Sequence, residues 1–150
     1  MKTHPKVSEV LPSQSFVQVL IDEAMQRINQ KPLFNAECIV ARGLSLFADK
    51  WSMLILLSLM QGTKRYSELQ RNIPDVSPKM LTQTLRSLEA AALITRKIYP
   101  EVPPRVEYAL TEFGTSLNFP LAALLRWSIE QEESITLARA SKAKETLQSS

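Results

Sequence analysis

Apolar positions along the chain recur at two different spacings, and the change from one to the other outlines the fold. Over residues 15–30 they fall three to four positions apart, which predicts a helix with one apolar face. Residues 39–50 show the same spacing. Residues 51–62 are apolar nearly all round, which is typical of a buried helix that Gly62 ends. A short amphipathic helix is predicted over residues 63–73.

A tight turn and a second amphipathic helix follow. Ser77 before Pro78 is typical of a helix start, because a hydroxyl caps free N–H groups and proline fits the first helical position. Leucines then repeat at i, i+4 and i+7, namely Leu81, Leu85 and Leu88. Two helices joined by a short turn form a helix-turn-helix, and the second helix runs over about 78–91.

The apolar period then changes to two, which predicts a pair of strands over residues 94–99 and 105–110. The apolar positions that alternate there are Ile94, Ile98, Val106, Tyr108 and Leu110. A hairpin directly after a helix-turn-helix is characteristic of a winged helix, and we call residues 99–106 the wing. Its three prolines fix φ and lack backbone donors, so the loop is stiff and is expected to project Arg105 beside the second helix.

The ends of the chain complete the predicted organisation. A last helix is expected over about 111–133, with Thr111 as its cap and a kink at Pro120. Residues 1–14 are predicted to be a flexible arm, 15–135 a single domain, and 136–150 a polar, frayed tail. The fold class is therefore mainly α with a small β-hairpin wing (α+β), a winged helix-turn-helix with extra helices at both ends.

Composition and charge narrow the class of protein. The chain has 150 residues, enough for one domain with a real core. Its net charge is +3, and between Lys64 and Arg105 eight basic residues face four acidic ones, so the positive surplus lies in the helix-turn-helix and hairpin. The chain has one cysteine and no apolar run as long as the roughly 20 residues of a membrane span, and a cytoplasmic protein is expected.

The exposed face of the second helix has the chemistry for reading base pairs. At about 100° per residue, Lys79, Gln83 and Arg86 point away from the leucine stripe. Arginine pairs with guanine, glutamine with adenine, and apolar or threonine methyl groups touch thymine. The predicted base-reading residues are Ser77, Lys79, Met80, Thr82, Gln83 and Arg86. Contacts to phosphate and through the wing are assigned to Lys64, Arg65, Tyr66, Lys97, Pro103, Pro104 and Arg105.

Several long stretches resemble the HxlR family of bacterial winged helix-turn-helix regulators. They are KWSMLIL, YSELQRNIPDVSPKMLTQTLRSLE, LITRKIYPEVPPRVEYALTEFG and LLRW, in that order between about Cys38 and Trp127. The resemblance implies a homodimeric transcription factor that binds double-stranded DNA, with the first and last helices forming the dimer contact. The apolar positions of these helices that we assign to the interface are Phe16, Leu20, Ile21, Leu117, Leu121, Leu124 and Trp127.

The resemblance also suggests a role for Cys38. Some members of the family sense oxidants or electrophiles through a cysteine just before the first shared helix, and Cys38 occupies that place. A thiol at a helix start is favoured as thiolate, the reactive form, whereas a free cysteine is otherwise commonly a small buried apolar residue. Both readings of Cys38 stay open.

Other function classes fit less well. The only histidine, His4, lies in the arm, no cluster has metal-ligand spacing, and there is no glycine-rich phosphate loop, so neither an enzyme nor a cofactor is expected. The alternative is a winged helix used for protein–protein contact, since one fold serves many functions. Such a surface would carry apolar anchors or acids on the second helix, where this chain has lysine, glutamine and arginine.

Overall fold

The structure is a computed structural model that describes residues 14–28 and 39–148, with side chains described up to residue 26 in the first range and residue 142 in the second. Eight helices and three short strands lie in these ranges, a mainly α fold with one small sheet, as predicted. The helices are α1 (Gln14–Ile28), α2 (Ile39–Ser45), α3 (Lys50–Leu59), α4 (Tyr66–Asn72), α5 (Pro78–Ala90), α6 (Glu112–Thr115), α7 (Asn118–Glu130) and α8 (Glu132–Gln148). The strands are β1 (Lys64–Arg65), β2 (Ile94–Tyr99) and β3 (Arg105–Leu110).

The chain divides into two compact units between Ser45 and Leu46, where the sequence predicts one domain over 15–135. The first unit contains α1 and α2. Its apolar side chains are exposed, including Phe16, Leu20 and Ile21, so it has no buried core of its own among the described residues. The second unit contains every residue of the hydrophobic core.

The helix predicted over 39–50 is interrupted. Residues 46–49 leave the helix, and Asp49 then caps α3 by accepting hydrogen bonds from the N–H groups of Trp51 (3.0 Å) and Ser52 (2.9 Å). The first of the two predicted helices therefore ends at Ser45, and the second begins at Lys50, where a carboxylate satisfies its free N–H groups. α3 ends at Leu59, three residues before the predicted end, and Gly62 follows with a φ of +117°, a conformation that favours glycine.

The helix-turn-helix consists of α4 and α5, and its second helix starts as predicted. Ser77 Oγ accepts a hydrogen bond from the N–H of Met80 at 3.2 Å, and Pro78 occupies the first helical position. The leucine stripe of α5 is fully buried at Leu81 and Leu88. Burial of such a side chain contributes about 1.5–3 kcal/mol, so the stripe determines which face of α5 is left exposed.

The sheet has the strand order β1-β3-β2, and both neighbouring pairs are antiparallel. Strands β2 and β3 have the predicted bounds, whereas β1 is too short for an alternating pattern and was not predicted. Pairing aligns Arg96 with Tyr108 and Lys97 with Glu107. Successive side chains on a strand point to opposite faces. We call the face with Tyr108 the inner face and the face with Glu107 the outer face.

The last predicted helix is three helices. Thr111 caps α6 by accepting a hydrogen bond from the N–H of Gly114 at 2.9 Å, as predicted. Pro120 does not kink a continuous helix, because it lies in the first turn of α7, where no backbone partner is lost. The segment 136–150 was predicted to be a frayed tail, but α8 continues to Gln148. In the described ranges, no helix is long and apolar enough to span a lipid bilayer.

Candidate nucleic-acid interface

The exposed face of α5 carries the three long polar side chains that the periodicity places there. Lys79, Gln83 and Arg86 are all exposed, on the side of the helix away from the buried leucine stripe. They line a shallow open groove together with Pro78 and Thr82. The arrangement leaves one cation near the start of the helix, one in its middle and an amide between them, all accessible from the same direction.

Two residues assigned to base reading are occupied by backbone contacts at the start of α5. The hydroxyl of Ser77 caps the helix, and the hydroxyl of Thr82 donates to the carbonyl oxygen of Pro78 at 2.9 Å. The hydrogen of the Thr82 hydroxyl is therefore already used within the protein. Met80 is exposed on the opposite flank of this face, so an apolar contact is available there.

Tyr66 connects the two helices of the helix-turn-helix. Its hydroxyl donates to the carbonyl oxygen of Pro78 at 3.1 Å and lies 3.3 Å from Thr82 Oγ1. Its ring packs partly buried against the core. The structure thus places Tyr66, assigned to phosphate by the sequence, where it holds the start of α5 against α4.

Some cations of the helix-turn-helix and the hairpin are paired with carboxylates, and others are not. Lys64, Lys79, Arg86 and Arg96 make no ion pair with any residue in the described part of the chain. Arg65 and Arg105 are paired with carboxylates instead. A cation without a carboxylate partner meets a phosphate without first losing an interaction, so the unpaired group is the better suited to bind DNA.

Neighbouring cations on β2 face opposite ways. Arg96 lies on the inner face and lines a cleft of about 90 Å³ with Arg86 and Glu89 of α5. Lys97 lies on the outer face, with Nζ 4.9 Å from the ring centre of Tyr99. Lys97 is among the residues predicted to contact phosphate, whereas Arg96 is not. The alternation along β2 could have identified Arg96, because it lies on the same face of the strand as the apolar residues next to α5.

Arg105 does not project freely from the wing as expected. Its Nη2 lies 2.8 Å from Glu101 Oε1 and its Nη1 lies 3.4 Å from Glu107 Oε1. Its Cζ is 4.0 Å from the centre of the Tyr99 ring, and only 28% of its side chain is exposed. The expected projection is therefore wrong for this residue, because two carboxylates and a ring hold the guanidinium against the sheet.

The tip of the wing is open to solvent. Val102, Pro103 and Pro104 are all exposed, and Val102 completely so. Pro103 follows a cis peptide bond. With Arg65 and Tyr66 at the start of α4, this loop borders an open groove. The tip therefore has an apolar surface and lies near the start of the first helix of the helix-turn-helix.

The residues assigned to dimer contact separate into buried and exposed sets. Leu121 is 3% exposed and belongs to the core of the second unit, so its assignment to an interface is wrong. Leu117 packs partly buried against that core. Leu124 and Trp127 are exposed on α7, as Phe16, Leu20 and Ile21 are on α1.

Two further expectations concern reactive and metal-binding groups. Cys38, the candidate sensor, lies outside the described residues, as does His4. In the described ranges, no three side chains of histidine, cysteine, aspartate or glutamate stand close enough together to hold a metal ion.

Comparison with known proteins adds to this geometry. The family model described as HxlR-like helix-turn-helix matches residues 46–136. Over 82 residues the chain is 55% identical to the uncharacterized HTH-type transcriptional regulator YkvN of Bacillus subtilis (strain 168), covering 55% of this chain and 70% of YkvN. It is 49% identical over 90 residues to an uncharacterized HTH-type transcriptional regulator of Methanothermobacter thermautotrophicus, covering 60% of this chain and 69% of the relative.

Solved structures show the same similarity. A regulator named YtfH from Salmonella typhimurium superposes with a TM-score of 0.64 at 38% identity, covering 72% of this chain and 96% of that one. The redox regulator HypR in its oxidized form superposes with a TM-score of 0.60 at 36% identity, covering 62% of this chain and 96% of HypR.

Proposed function

The chain belongs to the HxlR-like helix-turn-helix family and is a transcriptional regulator, and from that premise we propose that it binds specific DNA sequences as a homodimer. The observation that carries the proposal is the exposed face of α5, where Lys79, Gln83 and Arg86 stand together without carboxylate partners. The relatives are named as regulators of transcription, and an enzymatic activity is not part of the proposal.

In this proposal α5 lies in the major groove. Arg86 and Lys79 donate to the acceptors of guanine, Gln83 pairs with adenine, and Met80 with the Thr82 methyl contacts thymine methyl groups. Ser77 stands at the end of α5 that helix-turn-helix proteins bring to the bases. Tyr66 acts in support, because its hydrogen bond to Pro78 fixes the position of that end relative to α4.

Contacts to the DNA backbone flank this helix. The unpaired cations Lys64 and Arg96 are suited to phosphates on either side of the groove, and Arg96 shares a cleft with Arg86. Pro103 and Pro104 bring the exposed tip of the wing to the backbone or the adjacent minor groove. Lys97 lies on the outer face of the sheet, and Arg65 is paired with Glu107. We therefore expect both to contribute less to DNA affinity.

The exposed apolar side chains of α1 and α7 support a two-fold dimer. One helix-turn-helix covers one half-site, and dimers read two half-sites about one helical turn apart or a multiple of it. Trp127 is 54% exposed in the single chain, and Leu124, Phe16 and Leu20 are exposed as well. Apolar surface of this kind is typical of an interface that a second copy covers.

The test is selection of bound sequences from random DNA, followed by binding measurements on the selected operator and on a scrambled duplex. We expect a two-fold symmetric operator. We expect Gln83→Ala to lower affinity for it by about 1–3 kcal/mol per contacted base while leaving scrambled DNA nearly unchanged. Selection that yields no preferred sequence, together with equal loss on both duplexes, contradicts base reading. It would favour a winged helix that contacts another protein.

Redox control through Cys38 is a second part of the proposal, supported by the similarity to the redox regulator HypR. The chain has one cysteine, so a disulfide formed on oxidation must join two subunits or add a small thiol. An oxidant is expected to change operator affinity of the wild type and not of Cys38→Ser. Release of DNA by Cys38→Ser under the same oxidant contradicts this part and leaves the DNA-binding proposal intact.

A further inference from the structure

We propose that Arg105 is a positioning residue that fixes the wing, and that it does not itself contact DNA. The inference rests on the proposed DNA binding, because the wing matters here for how it meets the duplex. Three side chains hold the guanidinium, and we call these three residues and Arg105 the wing clamp. They are Tyr99, Glu101 and Glu107, at 4.0, 2.8 and 3.4 Å respectively.

The strand register brings the members of the clamp together. Tyr99 and Arg105 are direct partners in the β2–β3 ladder, and Glu107 follows two positions later on the same outer face. Glu101 lies four residues before Arg105 and reaches back across the loop. The N–H of Glu101 also donates to the carbonyl oxygen of Tyr99 at 2.9 Å. The clamp therefore closes the wing at its base, where the two strands end.

Glu107 extends the clamp to the helix-turn-helix. Its Oε1 is 3.9 Å from Nε of Arg65, which is its partner in the β1–β3 pairing. Arg65 occupies the N-cap position of α4, and its backbone N–H donates to Glu68 Oε2 at 2.7 Å. A continuous row of charges thus runs from the start of α4 across β3 to the wing. Through these contacts the wing is held in a fixed orientation relative to the helix-turn-helix.

The same contacts make Arg105 a poor phosphate ligand. Its side chain is 28% exposed and its Nε is buried. To reach a phosphate it must leave both Glu101 and Glu107, which then stand unpaired beside a polyanion. A planar guanidinium fits two carboxylates and a ring at once, and a lysine ammonium has no such fork. The clamp therefore requires arginine, whereas a phosphate contact could also be made by lysine.

Arg105→Lys and Arg105→Ala distinguish geometry from charge. Salt titrations on operator and scrambled DNA are the measurement. If Arg105 positions the wing, both variants lower operator affinity by about fivefold. This factor is the size expected for the loss of partly exposed ion pairs and one cation–π contact. In Arg105→Lys, which keeps the charge, binding to scrambled DNA and the salt slope stay unchanged, whereas in Arg105→Ala the unpaired Glu101 and Glu107 also weaken binding to scrambled DNA. The proposal is overturned if Arg105→Lys matches the wild type while Arg105→Ala weakens both duplexes and flattens the slope by about one unit per subunit.

Glu107→Gln provides an independent variant that keeps the side-chain size. It frees Arg65 and removes one of the two carboxylates that hold Arg105, which keeps its pair with Glu101, and it loosens the wing. We expect binding to scrambled DNA to strengthen and the operator-to-scrambled affinity ratio to fall by about fivefold, the same network effect. A direct contact by Arg105 predicts instead that both duplexes bind more tightly and that the ratio is unchanged, which would also overturn the proposal.

A measurement without DNA separates this inference from the proposed function. Amide hydrogen exchange at Glu101 and along the ends of β2 and β3 should be faster in Arg105→Lys than in the wild type, because the clamp has opened. A wild type that binds no operator would refute the proposed function, and faster exchange in the variant would still support the clamp. A wild type that binds operator, with equal exchange and equal affinity ratio in the variant, refutes the clamp alone.

Discussion

Replacement of Arg96 by alanine tests which face of the hairpin meets DNA. Arg96 is exposed on the inner face beside Arg86 and makes no ion pair with a described residue. Its removal therefore leaves no carboxylate without its cation, and we expect the free energy of unfolding to change by no more than about 0.5 kcal/mol. A change in DNA binding is then attributable to the interface.

The expected magnitude follows from one phosphate contact in each half-site. Each contact contributes about 0.9 to the slope of log affinity against log salt, so a rise from about 50 to 200 mM salt weakens it about 3.5-fold. For a dimer with two such contacts the factor is about 12. The wild type should therefore lose about 12-fold more affinity than Arg96→Ala across this range, on operator and scrambled DNA alike.

Fluorescence anisotropy of a labelled duplex at several salt concentrations measures this slope. Lys97→Ala is the matched control, because it removes the same charge from the adjacent residue of the same strand. Lys97 lies on the outer face over Tyr99, and we expect less than half the change in slope. An unchanged slope in Arg96→Ala, or a larger change in Lys97→Ala, would refute the assignment of the inner face to DNA.

The remaining predictions concern stability and assembly. A Cβ at Gly114 would lie 2.0 Å from the carbonyl oxygen of Leu93, so Gly114→Ala should destabilise the fold by about 1–3 kcal/mol in a denaturant titration. Burial raises the pKa of Asp49, but hydrogen bonds from the Ser52 side chain and from backbone N–H groups outweigh it and hold the pKa below the ordinary 3.8. Asp49→Ala should therefore cost about 1 kcal/mol near neutral pH, and the difference from the wild type should shrink as pH falls through that lowered pKa. Trp127→Ala should shift the monomer–dimer equilibrium in sedimentation by at least about tenfold, the size of a moderate hot spot, and leave the melting temperature of the monomer nearly unchanged.

The sequence alone determined those elements whose bounds and exposed faces follow from residues close together in the chain. The bounds of β2 and β3 agree with the alternation over 94–99 and 105–110, and Ser77 with Pro78 marks the start of α5. The leucine stripe assigned the exposed face of α5, including Lys79 and Arg86, because helix geometry relates residues three and four positions apart. The family resemblance came from the same region.

Contacts between elements that are remote in the sequence were decided only by tertiary structure. Leu121 and Leu124 are both leucines of one helix, yet one enters the core and the other stays exposed, since the direction of α7 relative to α3 and the sheet determines burial. Likewise β1 exists because β3 offers it a partner. The charge on Arg105 was evident in the sequence, but its neutralisation depends on a strand register that brings Tyr99 and Glu107 beside it. Periodicity reports which face of an element is apolar, whereas the partner of each side chain depends on how the elements pack.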